Sequence, residues 1–277
     1  MTTPPVEILT LQSLLDRPSF VESNFRNTLP SGRVFACLGT VGSPLGFVPI
    51  DLDPQQLAQL GPLVDRNALP ASDRQTLWRA AIDWASSQRA VAVQIVCSSE
   101  DLGPLAQLGW DCTTEILQLV RRPGAVESQP SSPAVFASSE LRGSEAIELV
   151  RRTLVDSLDL PEALTIRTPH AILESWHESI PLMHRLILTA RSPEGPVGIL
   201  VAGPATEGVE IRYLGVAPRD RRQGWGRRLL EAVVQRNAGV PVTAFVDARN
   251  FPAVQLYQQL GFVEEHRSPL CFRVLQP

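Results

Sequence analysis

The sequence predicts an α/β (α+β) protein: a mixed, mostly antiparallel central sheet flanked by helices, in two tandem copies. Three observations predict it. In the second half, segments with strand-like alternation and helix-like spacing follow one another in the order β-α-α-β-β-β-α-β-α-β, and a hairpin precedes the alternating part, which argues against a fully parallel sheet. The stretch RRPGAVESQPSSPA at 121–134 is rich in Pro, Ser and Gly, lacks a hydrophobic period and divides the chain. The ends of the two halves resemble each other when Leu108-Gly109-Trp110 is aligned with Leu260-Gly261-Phe262, and so long a period indicates duplicated domains rather than a solenoid. With 277 residues, 44% of them hydrophobic, the chain is expected to form domains at 1–122 and 134–277 around a linker at 123–133.

The elements of the second half are justified in turn. VFASSEL reads as a short strand. SEAIELVRRTLVDSL carries Ile147, Val150, Leu154 and Leu158 at helical spacing, with Ser144 as N-cap. HAILESWHESI reads as a second helix. RLILTARS and PVGILVAGPA form a hairpin through PEG, and VEIRYLGVA is a further strand. GRRLLEAVVQRN is a helix that buries Leu229, Leu230, Val233 and Val234. PVTAFVDA is a strand, FPAVQLYQQL a short helix and CFRVL a closing strand. In the repeat register Gly226 faces Arg74, Asn250 faces Ser98 and Tyr257 faces Leu105, and nothing in the first half resembles RRQGWG, so only the second half is expected to keep the polar site.

Composition excludes several function classes. The net charge of -4 gives no global field for nucleic acid or an anionic membrane. No apolar run is long enough to span a bilayer and the N-terminus has no basic n-region, so a cytoplasmic protein is expected. There is no lysine, which excludes a Walker-type loop, a Schiff base and a lysine base. Cys37, Cys97, Cys112 and Cys271 form no CxxC pair and none has metal-ligand spacing with a histidine, so reduced thiols and no metal are expected.

Against this acidic background, VAPRDRRQGWGRRLL gathers Arg219, Arg221, Arg222, Arg227 and Arg228 around Gly224-Trp225-Gly226, between a strand and a helix. The first amides of a helix lack partners within it, and its N-terminus is the positive end of its dipole. Glycines let backbone approach a phosphate closely, and arginines add forked donors. A phosphate or pyrophosphate is the guest this chemistry suits. A dinucleotide loop is disfavoured, because Leu229 stands where a third glycine belongs.

Arg221-x-x-Gly224-x-Gly226 resembles the R/Q-x-x-G-x-G/A signature of the GNAT superfamily, the N-acyltransferases that use acetyl-coenzyme A. The likeness extends over most of 134–277 and includes an Asn after the fifth strand and a Tyr on the next helix, here Asn250 and Tyr257. It implies a GNAT fold with a degenerate first copy, acetyl-CoA as co-substrate and transfer to a primary amine of a small molecule or peptide. By the same resemblance, the backbone around Gln223, Gly224, Trp225 and Gly226, with Arg221 and Arg222 nearby, holds the pyrophosphate. Leu214, Gly215 and Val216 pair with the pantetheine arm, and an amide there, that of Val216, polarises the thioester carbonyl. Tyr257 is the candidate general acid for the thiolate. Glu210 lies where histone-type members carry their base. Strict alternation puts Glu210, Arg212, Leu214 and Val216 on one strand face, with Arg212 lowering the basicity of Glu210.

Bland roles stay open for each residue: a core Tyr257, a turn-capping Asn250, and a surface ion pair at Glu210. His170, His177, His184 and His266 show no metal pattern. Trp176-His177-Glu178 falls where the family often places its acceptor site. A non-catalytic two-domain acyl-CoA-binding or scaffold protein is the competing reading. The amine acceptor carries no signature, no nucleic acid or membrane partner is indicated, and a homodimer is compatible with the sequence.

Overall fold

The computed structural model describes residues 6–10, 33–38, 44–52, 57–61, 69–124, 135–137, 143–164, 166–180 and 184–275. They form two compact units, residues 1–114 with 268–277 and residues 115–267.

The first unit contains β1 (Val6–Thr10), β2 (Arg33–Leu38), β3 (Pro44–Leu52), β4 (Leu57–Leu60), helix α1 (Ala71–Ser87), β5 (Ala92–Val96) and the short helix α2 (Leu102–Gln107). Strands β1 to β4 pair antiparallel in succession, and β4 pairs parallel with β5. The far edge of β5 is bonded by residues 270–274 of the last strand, β12 (Val263–Val274), antiparallel. Leu77, Trp78, Ala81 and Ala85 of α1 pack on Val93, Ile95, Leu105 and Cys271.

The second unit takes residues 115–121 of β6 (Asp111–Arg121). It continues with β7 (Val135–Ala137), α3 (Ser144–Leu154), α4 (Pro161–Leu164), α5 (Pro169–Ser179), β8 (Leu186–Ser192), β9 (Gly195–Pro204) and β10 (Val209–Val216). Helix α6 (Trp225–Arg236), β11 (Val242–Asp247) and α7 (Phe251–Gln259) complete it. The pairing repeats the pattern of the first unit. Strands β7 to β10 are antiparallel, β10 and β11 are parallel, and the sixth strand, β6, is antiparallel to β11. One apolar layer, including Leu229, Leu230, Val233 and Val234, covers one face of this sheet. Another, built by α3 and α5, includes Leu149, Val150, Leu173 and Trp176.

The mixed, mostly antiparallel α/β fold thus stands as expected, and the repeat register recurs in the backbone. Gly109 and Gly261 both take positive φ, 76° and 80°, just after a helix. The next amide in each unit reaches back to the corresponding residue, Trp110 to the Leu105 carbonyl at 3.2 Å and Phe262 to the Tyr257 carbonyl at 3.1 Å. A left-handed residue at this place ends a helix and satisfies its last carbonyls.

Several expectations are corrected. The compact units do not divide at 123–133: residues 115–121 belong with the second and 268–277 with the first, because that is where their ladder hydrogen bonds lie. From residue 125 the expected linker lies outside the described residues. Ser144 is the first helical residue of α3, and Gly143, at φ 84°, precedes it as N-cap. The helix buries Ala146, Leu149, Val150 and Thr153 and ends at Leu154, leaving Leu158 exposed. Cys112 and Cys271, expected as thiols, are joined in a disulfide within the first unit, with the Cys97 sulfur 3.7 Å from that of Cys271.

Candidate active site

Strand β10 determines the site. Its ladder with β9 slips between Ile211 and Tyr213, so Arg212 is an extra residue, a β-bulge. Its parallel ladder with β11 runs only over Val209–Val242, Glu210–Thr243 and Ile211–Ala244, although β10 continues to Val216 and β11 to Asp247. Beyond Ile211 the two strands diverge, leaving an opening whose β10 edge is the backbone of 213–216.

The bulge corrects the expected alternation. Ile211 and Leu214 both join the layer beneath α6, whereas Tyr213 packs with α3 and α5, its ring 4.9 Å from that of Trp176. Leu214 therefore does not share a face with Glu210. Gly215 is required by close approach: a Cβ there would lie 2.7 Å from Thr153 Cβ and 2.8 Å from the Tyr213 ring.

At the end of β10 the chain turns into the arginine-glycine loop. Arg222 (φ 65°) and Gly224 (φ 83°) are both left-handed, and Gly224 is the N-cap of α6. Alternating handedness of this kind turns successive amides toward one concave side. No acidic residue occupies the first turn of α6 to meet its positive end. The two glycines have different reasons. Around Gly224 a Cβ would meet nothing within 4 Å, so the constraint is its φ; at Gly226 a Cβ would sit 3.1 Å from Leu256 Cδ2, so the constraint is the packing of α6 on α7.

The arginines divide by role. Arg221 Nε donates to the Val216 carbonyl at 3.0 Å, and its terminal nitrogens donate to the carbonyls of Thr153, Val155 and Asp156. Its guanidinium ties the end of α3 to the loop, where a cation complements the negative end of the helix, instead of projecting into the loop. Arg228 lies over the Trp225 ring at 4.6 Å, and Arg227 bonds Glu231 and Gln259. Arg219 and Arg222 are exposed.

Asn250 caps α7, its side chain accepting from the Ala253 amide at 3.3 Å. Tyr257 is 4% exposed and stacks edge-on against Phe262 at 5.0 Å. Burial drives its hydroxyl pKa up, with the charge of Asp159 adding to the effect, so it remains protonated. Glu210 bonds Arg212 at 2.7 Å. Burial nevertheless outweighs the arginine, and the carboxyl is raised, not lowered as expected. Glu210 sits in the paired part of the ladder, beside Thr243. Asp247 lies four residues on, roughly 13 Å along the strand.

The sequence reading missed a carboxylate cluster at the opening. Asp247, fully buried at the end of β11, binds Arg249 at 2.7 Å, and Arg249 also binds Glu162 at 2.7 Å. The Asp247 amide donates to Asp159 Oδ1 at 3.2 Å, while the Leu160 amide donates to Asp247 Oδ2 at 3.3 Å. Left-handed Asp156 (φ 51°) and Leu160 (φ 48°) bracket the turn. Both Tyr213 and Tyr257 lie within electrostatic range of Asp159. No periodicity marks these residues; the acidic run DSLDLPE was the one available hint. Trp176 belongs to the core, and His177 bonds Arg185. Among the described residues no cluster of His, Cys, Asp and Glu is arranged to hold a metal, and no helix is long and apolar enough to cross a membrane.

A split parallel pair of strands beside a glycine turn at a helix N-terminus is the frame of a GNAT-type α/β fold. Residues 184–264 match the family described as acetyltransferase (GNAT) domain. Among solved structures, a GCN5-related N-acetyltransferase from Sphaerobacter thermophilus is similar at a TM-score of 0.65 and 17% identity, over 88% of this chain and 81% of that one. A tandem GNAT protein from the clavulanic acid biosynthesis pathway is similar at 0.59 and 14% identity, over 91% and 86%. A putative acetyltransferase from Pyrococcus horikoshii gives 0.59 and 14%, over 89% and 75%. Identities this low speak for the fold alone. No curated protein matches the sequence.

Proposed function

We propose that the protein is an N-acetyltransferase that moves the acetyl group of acetyl-CoA directly to a primary amine of a small molecule or peptide. The observation that carries the reading is the opening between β10 and β11, where the parallel ladder stops at Ile211 and β10 runs on into the turn at Arg222 and Gly224. That frame fits an extended acyl-CoA: a left-handed glycine turn at a helix N-terminus follows a strand edge that is not paired with β11. The backbone of Gln223, Gly224, Trp225 and Gly226 would hold the pyrophosphate, with Arg222 exposed beside it, and Leu214, Gly215 and Val216 would hold the pantetheine as an added strand. Bound acetyl-CoA supplies an acyl carbon on a thiol leaving group. Tyr257 would supply the proton at its hydroxyl to the departing sulfur, and the Val216 amide would polarise the carbonyl. Arg221 acts through the backbone it ties down, and Asn250 through the start of α7.

The test is a thermal shift with about 1 mM acetyl-CoA. At ~100 times its dissociation constant a ligand adds about 2.7 kcal/mol, a rise of several degrees for a domain of this size. Gly224→Glu, which forces a side chain into a left-handed position and places a negative charge at the turn, is expected to abolish the rise. Tyr257→Phe is expected to keep the rise and slow turnover of an amine screened by thiol release. No shift at any concentration overturns the reading, and a shift without turnover of any amine favours the non-catalytic acyl-CoA-binding alternative.

A further inference from the structure

Asp159 is not explained by stability or by the family signature. It stands in a turn with left-handed non-glycine residues on both sides, Asp156 and Leu160, and strain of this kind persists where surrounding structure enforces it. Three contacts enforce it here. The Arg221 guanidinium holds the carbonyls just before the turn, the Asp159 amide donates to Ser157 Oγ at 3.2 Å, and Leu160 is tied to Asp247. The carboxylate is thereby fixed at Asp247, three residues beyond the last β11 residue paired with β10. Tyr213 on β10 and Tyr257 on α7 lie within electrostatic range of it.

The charged and titratable groups around it are Asp247 and Arg249 at the end of β11, Glu162 on α4, the two tyrosines, and Arg221, which acts on Tyr213. Arg249 neutralises Asp247 and Glu162 by direct ion pairs, and no cation is paired with Asp159 itself among the described ion pairs.

We propose that Asp159 is the base that takes the proton from the acceptor's ammonium group, an assignment that rests on the acetyltransferase reading. An ammonium N–H bond breaks and its proton passes to an Asp159 oxygen. The freed nitrogen lone pair forms a bond to the acetyl carbon, and the carbon–sulfur bond breaks with its electron pair on sulfur. The sulfur takes the Tyr257 proton, the second nitrogen proton restores the tyrosine, and the proton on Asp159 leaves to solvent. Burial, opposed by the hydrogen bond from the Asp247 amide and reinforced by the Asp247 charge, raises the Asp159 carboxyl to about 6, high for an aspartate and suited to accepting a proton near neutrality. Glu210, four residues from the level of Asp247, is then left as a strand ion pair with Arg212.

The experiment compares wild type with Asp159→Asn and Asp159→Glu, using two probe amines with acetyl-CoA: n-butylamine, a cation at neutral pH, and methoxyamine, which is neutral and needs no proton removed before attack. Thiol release from n-butylamine is expected to fall about 10²-fold or more in Asp159→Asn, while methoxyamine turnover stays within about threefold. Asp159→Glu should recover part of the n-butylamine rate. The acid limb of the n-butylamine profile, near pH 6 in wild type, should disappear in Asp159→Asn. Independently of turnover, ¹³C-carboxyl NMR of the ligand-free protein should show one aspartate with a midpoint near 6 that is absent from Asp159→Asn.

Equal slowing of both amines, or of neither, overturns the base role, as does the lack of such a resonance. A preserved thermal shift with acetyl-CoA verifies that the variant is folded. If wild type itself releases no thiol with either amine, the acetyltransferase reading falls and the base role falls with it; if only the variant comparison fails, the base role alone falls.

Discussion

Replacing Asp159 by Asn is expected to stabilise the protein at neutral pH and not in acid. The carboxyl is raised from 3.8 to about 6, chiefly by burial. Well below 3.8 it is protonated in both the folded and unfolded chain, and burial costs nothing electrostatic. Between the two values the unfolded chain ionises while the fold keeps its proton, so stability falls as pH rises. Above about 6 the full cost is present. At about 1.4 kcal/mol per tenfold change it reaches about 3 kcal/mol, an upper limit because the fold relaxes around a charge. Asn carries no charge, and its Oδ1 still accepts from the Asp247 amide, so the substitution removes the cost without orphaning that donor. Half of the upper limit corresponds to a Tm rise of roughly 3–6 °C for a unit of this size. The assay is thermal unfolding of both proteins at about pH 4 and about pH 7.5. A gain at the higher pH alone fits the argument. A lower Tm at both, or the same change at both, refutes it. A carboxylate that weakens the fold where it stands is expected at a functional site, since activity and stability compete there.

Two further outcomes follow from packing. Arg221→Met removes the donors to the carbonyls of Val216, Thr153, Val155 and Asp156; it should cost about 1–3 kcal/mol and speed amide exchange over 153–160, whereas unchanged exchange would show that Arg221 does not hold the turn. Breaking the Cys112–Cys271 disulfide, which spans 159 residues of sequence, should lower the Tm of the first unit by an amount equivalent to about 2–4 kcal/mol. Alkylation of the unreduced protein followed by mass spectrometry should leave Cys112 and Cys271 unlabelled, and labelling of both refutes the pairing.

The parts of the site built from consecutive residues were legible in the sequence. Gly224 and Gly226, the strand before them and the helix after them are set by local rules, a left-handed N-cap and a 3.6-residue apolar period, and Leu229, Leu230, Val233 and Val234 are all buried as that period requires. Asn250 and Tyr257 were named through the GNAT resemblance, as an Asn after the fifth strand and a Tyr on the next helix. The role of Arg221 was misjudged because its partners lie 65 to 68 residues away at the end of α3. The face of Leu214 was misjudged because one extra residue in β10 reverses the alternation, and nothing in VEIRYLGV marks it.

By itself, then, the sequence determined the fold class and the glycine turn at the start of α6, because hydrophobic period, turn residues and spacing act between near neighbours. Tertiary structure decided the rest. It assigned residues 115–121 and 268–277 to their units through ladder hydrogen bonds, it joined Cys112 to Cys271, and it brought Asp159 to Asp247 across 88 residues. It also reversed the sign at Glu210, where desolvation outweighs the neighbouring arginine, and desolvation depends on everything packed around a group rather than on its place in the chain.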